Sequence, residues 1–173
     1  MVYDKIVTWI KPKVPFVKLN SDGSVKNHCA GFGGIIRDHN GNVLAAYAGP
    51  LNKCTVITAE LNALSYGIDI CSNMGCNNIW LEVDAQLVIQ IINNVVLGNP
   101  QNFYLIRKIK QSLSTFNFYI SHIYREANCC ADWLANLGCT LDHFQELNIN
   151  SLDPMLKGMI TLDKAALPYI RHV

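Results

Sequence analysis

The chain has 173 residues, of which 50% are hydrophobic and 16% are charged, and its formal net charge is +1. This length and composition suit one folded domain with a buried core and exclude a disordered chain. The charge excludes a strongly basic footprint for nucleic acids, so any phosphate binding must be local or mediated by metal ions.

The first part of the chain predicts three strands that pair antiparallel. Hydrophobic and polar residues alternate in FVKLNSDGS, which predicts a strand that begins near Phe16 and ends at a turn beside Asp22. The segment CAGFGGIIRDHNGNVLAAYAGP predicts two further strands joined by a hairpin turn at residues 39–42. We expect residues 1–13, before these strands, to be a leader or linker.

Helical and extended patterns then alternate. Hydrophobic residues three and four apart predict a helix in TVITAELNALSYGIDICSNMG. NNIWLEVD predicts a buried fourth strand, and NFYISHIY predicts a fifth strand. Three more helices are predicted in AQLVIQIINNVV, FYLIRKIKQSL and ANCCADWLANLG, the last with a glycine stop.

This order predicts an α/β fold. Three antiparallel strands followed by two parallel strands would form a mixed five-stranded sheet flanked by helices. We expect residues 14–139 to be this domain and residues 140–173 to be a C-terminal extension. The extension has no clear periodicity, although Leu152, Leu156 and Ile160 are spaced for one or two helical turns.

The cysteines and the hydropathy pattern bear on the cellular compartment. Seven cysteines without a CxxC pair argue against a zinc site and against a disulfide framework. Cys129 and Cys130 are therefore expected to fill space in the last helix, as free cysteines do in a reducing compartment. The sequence shows no signal peptide and no apolar run of membrane-spanning length, so we expect an intracellular protein of the cytoplasm or nucleus that does not bind membranes.

Four acidic side chains lie beside apolar residues, where acids are unusual without a partner. Asp22 is expected to end the first strand, and Asp84 is expected to end the fourth. Glu60 lies between Ala59 and Leu61 in the first helix, and Asp132 lies between apolar residues of the last helix. Neighbouring strands can bring Asp22 and Asp84 together, and the helices can add the other two acids.

Converging carboxylates would repel one another strongly in a low-dielectric cleft, and a divalent cation would remove that repulsion. Oxygen ligands select Mg²⁺ or Mn²⁺ over zinc, and two such ions can hold the attacking and leaving oxygens of a phosphoryl transfer. Simpler interpretations of each acid stay open at this point. They are Asp22 as a turn residue, Glu60 on a solvated helix face, Asp84 as a helix N-cap and Asp132 as a partner of Arg125.

Five sequence blocks carry a family resemblance. They are LNSDGS, GFGGIIRDHNGNVLAAYAG, TAELNALSYGI, LEVDAQLVI and HIYREANCCADWLANLG, in this order. Together they resemble the ribonuclease H-like domains of plant non-LTR retroelements and their stand-alone relatives over residues 14–139. Each block is weak by itself, but five in order with every acid in place form a specific match.

The resemblance implies an enzyme that cuts the RNA strand of RNA–DNA hybrids. By position, Asp22, Glu60, Asp84 and Asp132 would be catalytic ligands of two Mg²⁺ ions, with Mn²⁺ as a substitute. One ion would orient the attacking water, and the other would stabilise the leaving 3′-oxygen. His122 would assist proton transfer. Substrate contacts are expected from Gly23, Ser24, Thr55, Gln86, Arg125 and Asn128, and the protein is expected to be a monomer.

Some positions depart from the family pattern. Residues 121–124 look like a continuing strand, so the side chain of His122 could point into the sheet, which leaves Arg125 as an alternative auxiliary group. Val56 and Ile57 replace an asparagine pair that reads bases in the family, and Ala85 replaces a serine. The glycines Gly31, Gly33 and Gly34 could let the backbone approach substrate or simply allow close packing.

No basic segment that could bind a hybrid follows the second helix. Lys108 and Lys110 are best explained as part of a solvated helix face. These departures and the nearly neutral charge keep a second hypothesis open. It is a domesticated module that binds nucleic acid or a protein partner with weak or no catalysis.

Overall fold

The computed structural model describes residues 3–173, and these residues form eight strands, five α-helices and three short 3-10 turns. The strands are β1 (Asp4–Val7), β2 (Val17–Val25), β3 (Ala30–Arg37), β4 (Val43–Leu51), β5 (Asn78–Val83), β6 (Asn117–His122), β7 (Gln145–Glu146) and β8 (Tyr169–His172). The helices are α1 (Val56–Asn73), α2 (Gln86–Ile92), α3 (Phe103–Leu113), α4 (Cys129–Gly138) and α5 (Pro154–Lys164).

The central sheet has the strand order β6-β5-β2-β3-β4-β7. Strands β2, β3 and β4 pair antiparallel, whereas β5 pairs parallel with both β2 and β6. The predicted sheet of three antiparallel and two parallel strands is therefore confirmed. The short edge strand β7, which pairs with β4, adds a sixth strand that the sequence did not predict, because two residues are too few to show a period.

Strand β2 continues past Asp22, and this corrects the prediction that Asp22 ends the strand at a turn. Gly23 pairs with Phe32 of β3, and the chain turns only at residues 26–29, where the Lys26 amide donates to the Cys29 carbonyl at 2.8 Å. Gly23 permits this because a Cβ there would lie 2.6 Å from the backbone of Ala59. Helix α1 can therefore press directly onto the strand.

Helices cover both faces of the sheet. Ile36 of β3 packs in a core with α1, α2 and α3, whereas its neighbour Ile35 packs in a second core with α4 and α5. Successive side chains of a strand point to opposite faces, so these two cores lie on opposite sides of the sheet. The two layers bring α1 and α4 against the same strands, β2 and β3.

The two ends of the chain meet in a separate ribbon, in which β1 pairs antiparallel with β8. The segment expected to be a leader thus forms a strand and buries Trp9, whose Nε1 donates to Asn20 Oδ1 at 2.8 Å. The proposed helical turns near Leu156 are confirmed as helix α5. Residues 1 and 2 of the expected leader lie outside the described residues, and the boundaries 14–139 remain a prediction.

Charged side chains are buried beneath these terminal segments. Lys18 Nζ lies 3.0 Å from Glu82 Oε2, and Arg37 Nη1 lies 2.7 Å from Asp163 Oδ2. Asn20 bridges the two pairs, because its Nδ2 donates to Glu82 at 2.8 Å and its Oδ1 accepts from Arg37 at 3.0 Å. This network ties β2, β3 and β5 to α5. Within residues 3–173, no helix combines the length and apolarity that crossing a membrane requires.

Candidate active site

Three carboxylates converge where β2, α1 and the end of β5 meet. One oxygen from each of Asp22, Glu60 and Asp84 lies within 4.8 Å of the others. The strand register explains the approach of the two aspartates. Asn20 of β2 is the parallel partner of Glu82 of β5, and Asp22 and Asp84 each follow two residues later. Parallel pairing therefore places both acids at the same level of the sheet.

Glu60 reaches this cluster because Gly23 has no side chain. The Glu60 amide lies 2.6 Å from the position of a Gly23 Cβ, so α1 meets β2 at this point. Glu60 is 3% exposed, and its Oε2 has no hydrogen-bond partner within the described part of the chain. An unpaired buried acceptor is costly, which makes this oxygen available to a ligand. The interpretation of Glu60 as a solvated surface residue is wrong.

The cluster is electrostatically unfavourable without a cation. Burial, followed by the charge of Asp84, raises the pKa of Asp22 to about 7. Burial, followed by the charge of Asp22, raises the pKa of Glu60 to about 10. Burial also raises the pKa of Asp84, although Arg125 and then His122 oppose that rise. The raised pKa values of Asp22 and Glu60 favour their protonated forms, and a divalent cation could replace those protons.

Asp132 lies next to this group of three. It is partly buried in the first turn of α4, and its charge raises the pKa of both Asp22 and Asp84. The structure therefore brings together all four predicted acids, three within 4.8 Å and Asp132 beside them. The pairing expected between Asp132 and Arg125 is not the one observed, because Arg125 Nε lies 3.4 Å from Asp84 Oδ2.

The N-cap interpretation of Asp84 is also wrong. Ala85 is the N-cap residue of α2, and no side chain caps that helix. Asp22, likewise, is not a turn residue, since it pairs with Gly33 inside the sheet.

His122 and Arg125 both lie at the edge of the cluster. His122 is exposed at the end of β6, where its ring meets the ring of Tyr124 edge-on at 5.1 Å. The expectation that His122 could point into the sheet is therefore wrong. The Arg125 side chain is 73% exposed while it contacts Asp84. Both side chains are thus exposed to solvent beside the carboxylates.

The other predicted substrate contacts fall into two groups. Thr55, the N-cap of α1, and Gln86 are exposed. Asn128 is 2% exposed, and its Nδ2 donates to the Ser21 carbonyl at 3.2 Å. In this position Asn128 joins α4 to the strand of Asp22, and its side chain is shielded from solvent.

Gly23 and Ser24 also make internal contacts. Ser24 Oγ donates to Asn136 Oδ1 at 3.1 Å, and α1 fills the space above Gly23. A Cβ on Gly33 would lie 2.5 Å from the Leu134 backbone. Close packing is therefore the explanation for the glycines of β3. Lys108 forms an exposed ion pair with Asp69 at 2.7 Å, as a solvated helix face requires.

Two polar residues near the site were missed from the sequence. Thr58 Oγ1 donates to Asn102 Oδ1 at 3.0 Å and lies 2.9 Å from Thr55 Oγ1. Asn102 is 5% exposed and immediately precedes α3, so it fixes the start of that helix beside the turn of α1 that carries Glu60. The polar residues before the third predicted helix were the sequence signal that could have pointed to Asn102. No local sequence pattern, however, indicates that this residue contacts α1.

A second group of possible metal ligands consists of Cys129, Cys130 and Asp163, again within 4.8 Å of one another. Arg37 already supplies the cation there, because its Nη1 lies 2.7 Å from Asp163 Oδ2 and 3.9 Å from Cys130 Sγ. Cys130 is buried and Cys129 is partly buried, as expected for residues that fill space in a helix.

The sequence of this chain is similar to those of known proteins. A family model described as reverse transcriptase-like matches residues 20–138. An Arabidopsis thaliana protein named "putative ribonuclease H protein" is 28% identical over 162 residues, which are 92% of this chain and 26% of that protein. The chain thus spans about a quarter of the length of this curated relative.

Solved structures show the same fold. Ribonuclease H1 of the halophilic archaeon Halobacterium salinarum is similar with a TM-score of 0.67 and 24% identity, over 71% of this chain and 96% of that chain. The LC11 ribonuclease H1, solved in complex with an RNA/DNA hybrid, has a TM-score of 0.67 and 23% identity, over 72% and 96% of the two chains. The ribonuclease H-like α/β fold expected from the sequence is therefore confirmed.

Proposed function

Because the chain belongs to the reverse transcriptase-like family, we propose that it is a divalent-metal-dependent endonuclease that cuts the RNA strand of RNA–DNA hybrids. The observation that carries this proposal is the convergence of Asp22, Glu60 and Asp84 within 4.8 Å, with Asp132 beside them. The similar LC11 ribonuclease H1 was solved with an RNA/DNA hybrid, which supports this choice of substrate.

The donor set fits hard divalent cations. It consists of carboxylate oxygens only, one of which, Glu60 Oε2, is buried and unpaired. Such ligands favour Mg²⁺, with Mn²⁺ as a substitute, and Asp22, Glu60, Asp84 and Asp132 would hold the ions. When bound, two ions would supply an activated water and charge stabilisation for the leaving oxygen.

The remaining groups would act on the substrate. Arg125 is largely exposed beside Asp84 and can approach a phosphate of the RNA strand. His122 is exposed on the same side, where an imidazole could carry a proton to or from the reacting phosphate. Thr55 and Gln86, both exposed at helix starts, could contact sugar or phosphate groups of the hybrid, and 2′-hydroxyl contacts would distinguish RNA from DNA.

Cleavage of an end-labelled RNA–DNA hybrid in Mg²⁺ or Mn²⁺ tests the proposal. The wild-type chain should cut the RNA strand and leave 3′-hydroxyl ends, and Asp84→Asn should lower the rate by at least about 100-fold. Asp69→Asn is the matched control, because it makes the same chemical change at an exposed acid paired with Lys108. Absence of metal-dependent cleavage by the wild-type chain would overturn the proposal.

One observation favours the second candidate, a module that binds without cutting. Val56 is 54% exposed at the opening of α1, where it offers no hydrogen bond to a base. This candidate predicts hybrid binding without turnover and with equal affinity in wild type and Asp22→Asn. Metal-dependent cleavage that Asp22→Asn abolishes would rule it out.

A further inference from the structure

The ribbon of β1 and β8 carries cations to the side of the active site. Its Lys5 Nζ donates to Tyr124 Oη at 2.7 Å and lies 4.3 Å from the centre of the Tyr124 ring. Arg171 Cζ lies 4.6 Å from the same ring centre. Tyr124 directly precedes Arg125, the partner of Asp84, and its ring also meets that of His122. The ribbon is therefore continuous with the groups that flank the carboxylates.

The two ribbon cations oppose each other. Lys5 and Arg171 are cross-strand partners in the β1–β8 register, and like charges at such positions destabilise a ribbon. Glu126 neutralises the charge of Arg171 only, since both of its carboxylate oxygens lie 3.1 Å from Arg171 Nη1. Within residues 3–173, no acidic side chain pairs with Lys5, and its Nζ instead contacts the hydroxyl and the ring of Tyr124. An anion at Lys5 would remove the remaining repulsion.

The position of Lys5 indicates which kind of anion could bind to it. The Lys5 side chain is exposed, and so are His122 and Arg125 on the neighbouring turn. A nucleic acid bound at the carboxylates would carry a phosphate on every nucleotide, so its backbone would pass these cations. A lysine acts on phosphates as a mobile point charge, which suits a contact outside the reacting centre.

We propose that Lys5, supported by Tyr124 and backed by Arg171, binds a backbone phosphate of the nucleic acid beyond the scissile bond, on the side of His122 and Arg125. The inference rests on the proposed function. It also gives the two terminal segments, which lie outside the family match at residues 20–138, a role in substrate binding. The site compensates for the basic segment that is absent after α2.

Steady-state cleavage of a labelled hybrid at several KCl concentrations tests this role. Lys5→Gln should raise KM about three- to fivefold, leave kcat unchanged and reduce the slope of log KM against log [KCl] by about one. Lys5→Arg should retain the wild-type KM. Lys157→Gln is the matched control, because it removes the same charge from an exposed lysine of α5. Equal behaviour of Lys5→Gln and Lys157→Gln would overturn the inference.

Binding without turnover separates this inference from the proposed function. Fluorescence anisotropy of the hybrid is measured with Asp84→Asn and with Asp84→Asn combined with Lys5→Gln, with circular dichroism to show that both are folded. If the wild-type chain does not cut but the added Lys5→Gln weakens binding, the proposed function fails and the phosphate contact stands. If the wild-type chain cuts and Lys5→Gln leaves both KM and binding unchanged, only the phosphate contact fails.

Discussion

Arg37 of β3 and Asp163 of α5 form an ion pair with an Nη1–Oδ2 distance of 2.7 Å, and each side chain is 1% exposed. The guanidinium of Arg37 also stacks on the Trp9 ring, with its Cζ 3.7 Å from the ring centre. One buried cation thus holds the N-terminal segment and the C-terminal helix against the central sheet. The two ends of the chain are packed as parts of the same structure.

Removing one partner of this pair should be strongly destabilising, because it leaves a buried charge without compensation. We expect Asp163→Ala to lower the free energy of unfolding by about 3–5 kcal/mol. Urea denaturation followed by circular dichroism measures this. Lys108→Ala, which breaks the exposed pair with Asp69, should cost no more than about 1 kcal/mol. Equal costs for the two variants would contradict the role of Arg37 and Asp163.

Gly23→Ala should damage both stability and cleavage. The added Cβ would lie 2.6 Å from backbone atoms of Ala59 and Glu60, so α1 must shift and carry Glu60 away from Asp22. We expect a loss of about 1–3 kcal/mol in the free energy of unfolding and a clear fall in kcat for hybrid cleavage. Gly158→Ala is the control, since that helical glycine faces open space and its replacement should stabilise by about 0.5–1 kcal/mol. Unchanged cleavage by Gly23→Ala would show that the position of Glu60 does not depend on the close approach of α1 to Gly23.

The free energy of unfolding should depend on pH more strongly in the metal-free protein than in the metal-bound protein. The pKa of Asp22 is raised to about 7 and that of Glu60 to about 10, so the folded metal-free protein holds protons that the unfolded chain has lost. Metal-free stability must then fall as pH rises from the ordinary carboxyl range toward 10. A bound divalent cation replaces those protons, so the fall in stability with rising pH should disappear.

Thermal unfolding in EDTA and in saturating Mg²⁺, at pH 5, 7 and 9, measures this effect. The difference in Tm between the EDTA and Mg²⁺ conditions should widen as pH rises. Groups such as Lys18 titrate in both conditions, so their contribution to Tm cancels in this difference. Glu60→Gln should narrow the difference, whereas Asp69→Asn should leave it unchanged. A constant difference across the pH range would argue against metal binding at this cluster.

His122 and Arg125 should be separable by kinetics. If His122 carries a proton, His122→Ala should lower kcat at least about tenfold and change its pH dependence, with little effect on KM. Arg125→Gln should instead raise KM, because the side chain is largely exposed and placed to meet a phosphate. A rise in KM alone for His122→Ala would assign both residues to substrate binding.

Local patterns in the sequence were sufficient for much of the fold. Periodicity placed helices α1 to α4 and the five main strands, because each spans at least one full period of its pattern. The short strands β1, β7 and β8 have two to four residues each and show none. Asp22 was misplaced at a turn because the Gly-Ser that follows it is typical of turns, whereas here the glycine accommodates α1.

The sequence by itself determined which residues could form the site, because acids set among apolar residues are conspicuous wherever the chain places them. Only the tertiary structure decided how those acids meet. The parallel register of β2 and β5 brings Asp22 to Asp84, and the missing side chain of Gly23 lets Glu60 join them. Contacts such as Arg37 with Asp163, and Lys5 with Tyr124, join residues more than a hundred positions apart. No local pattern encodes such contacts, because they exist only once the chain has packed.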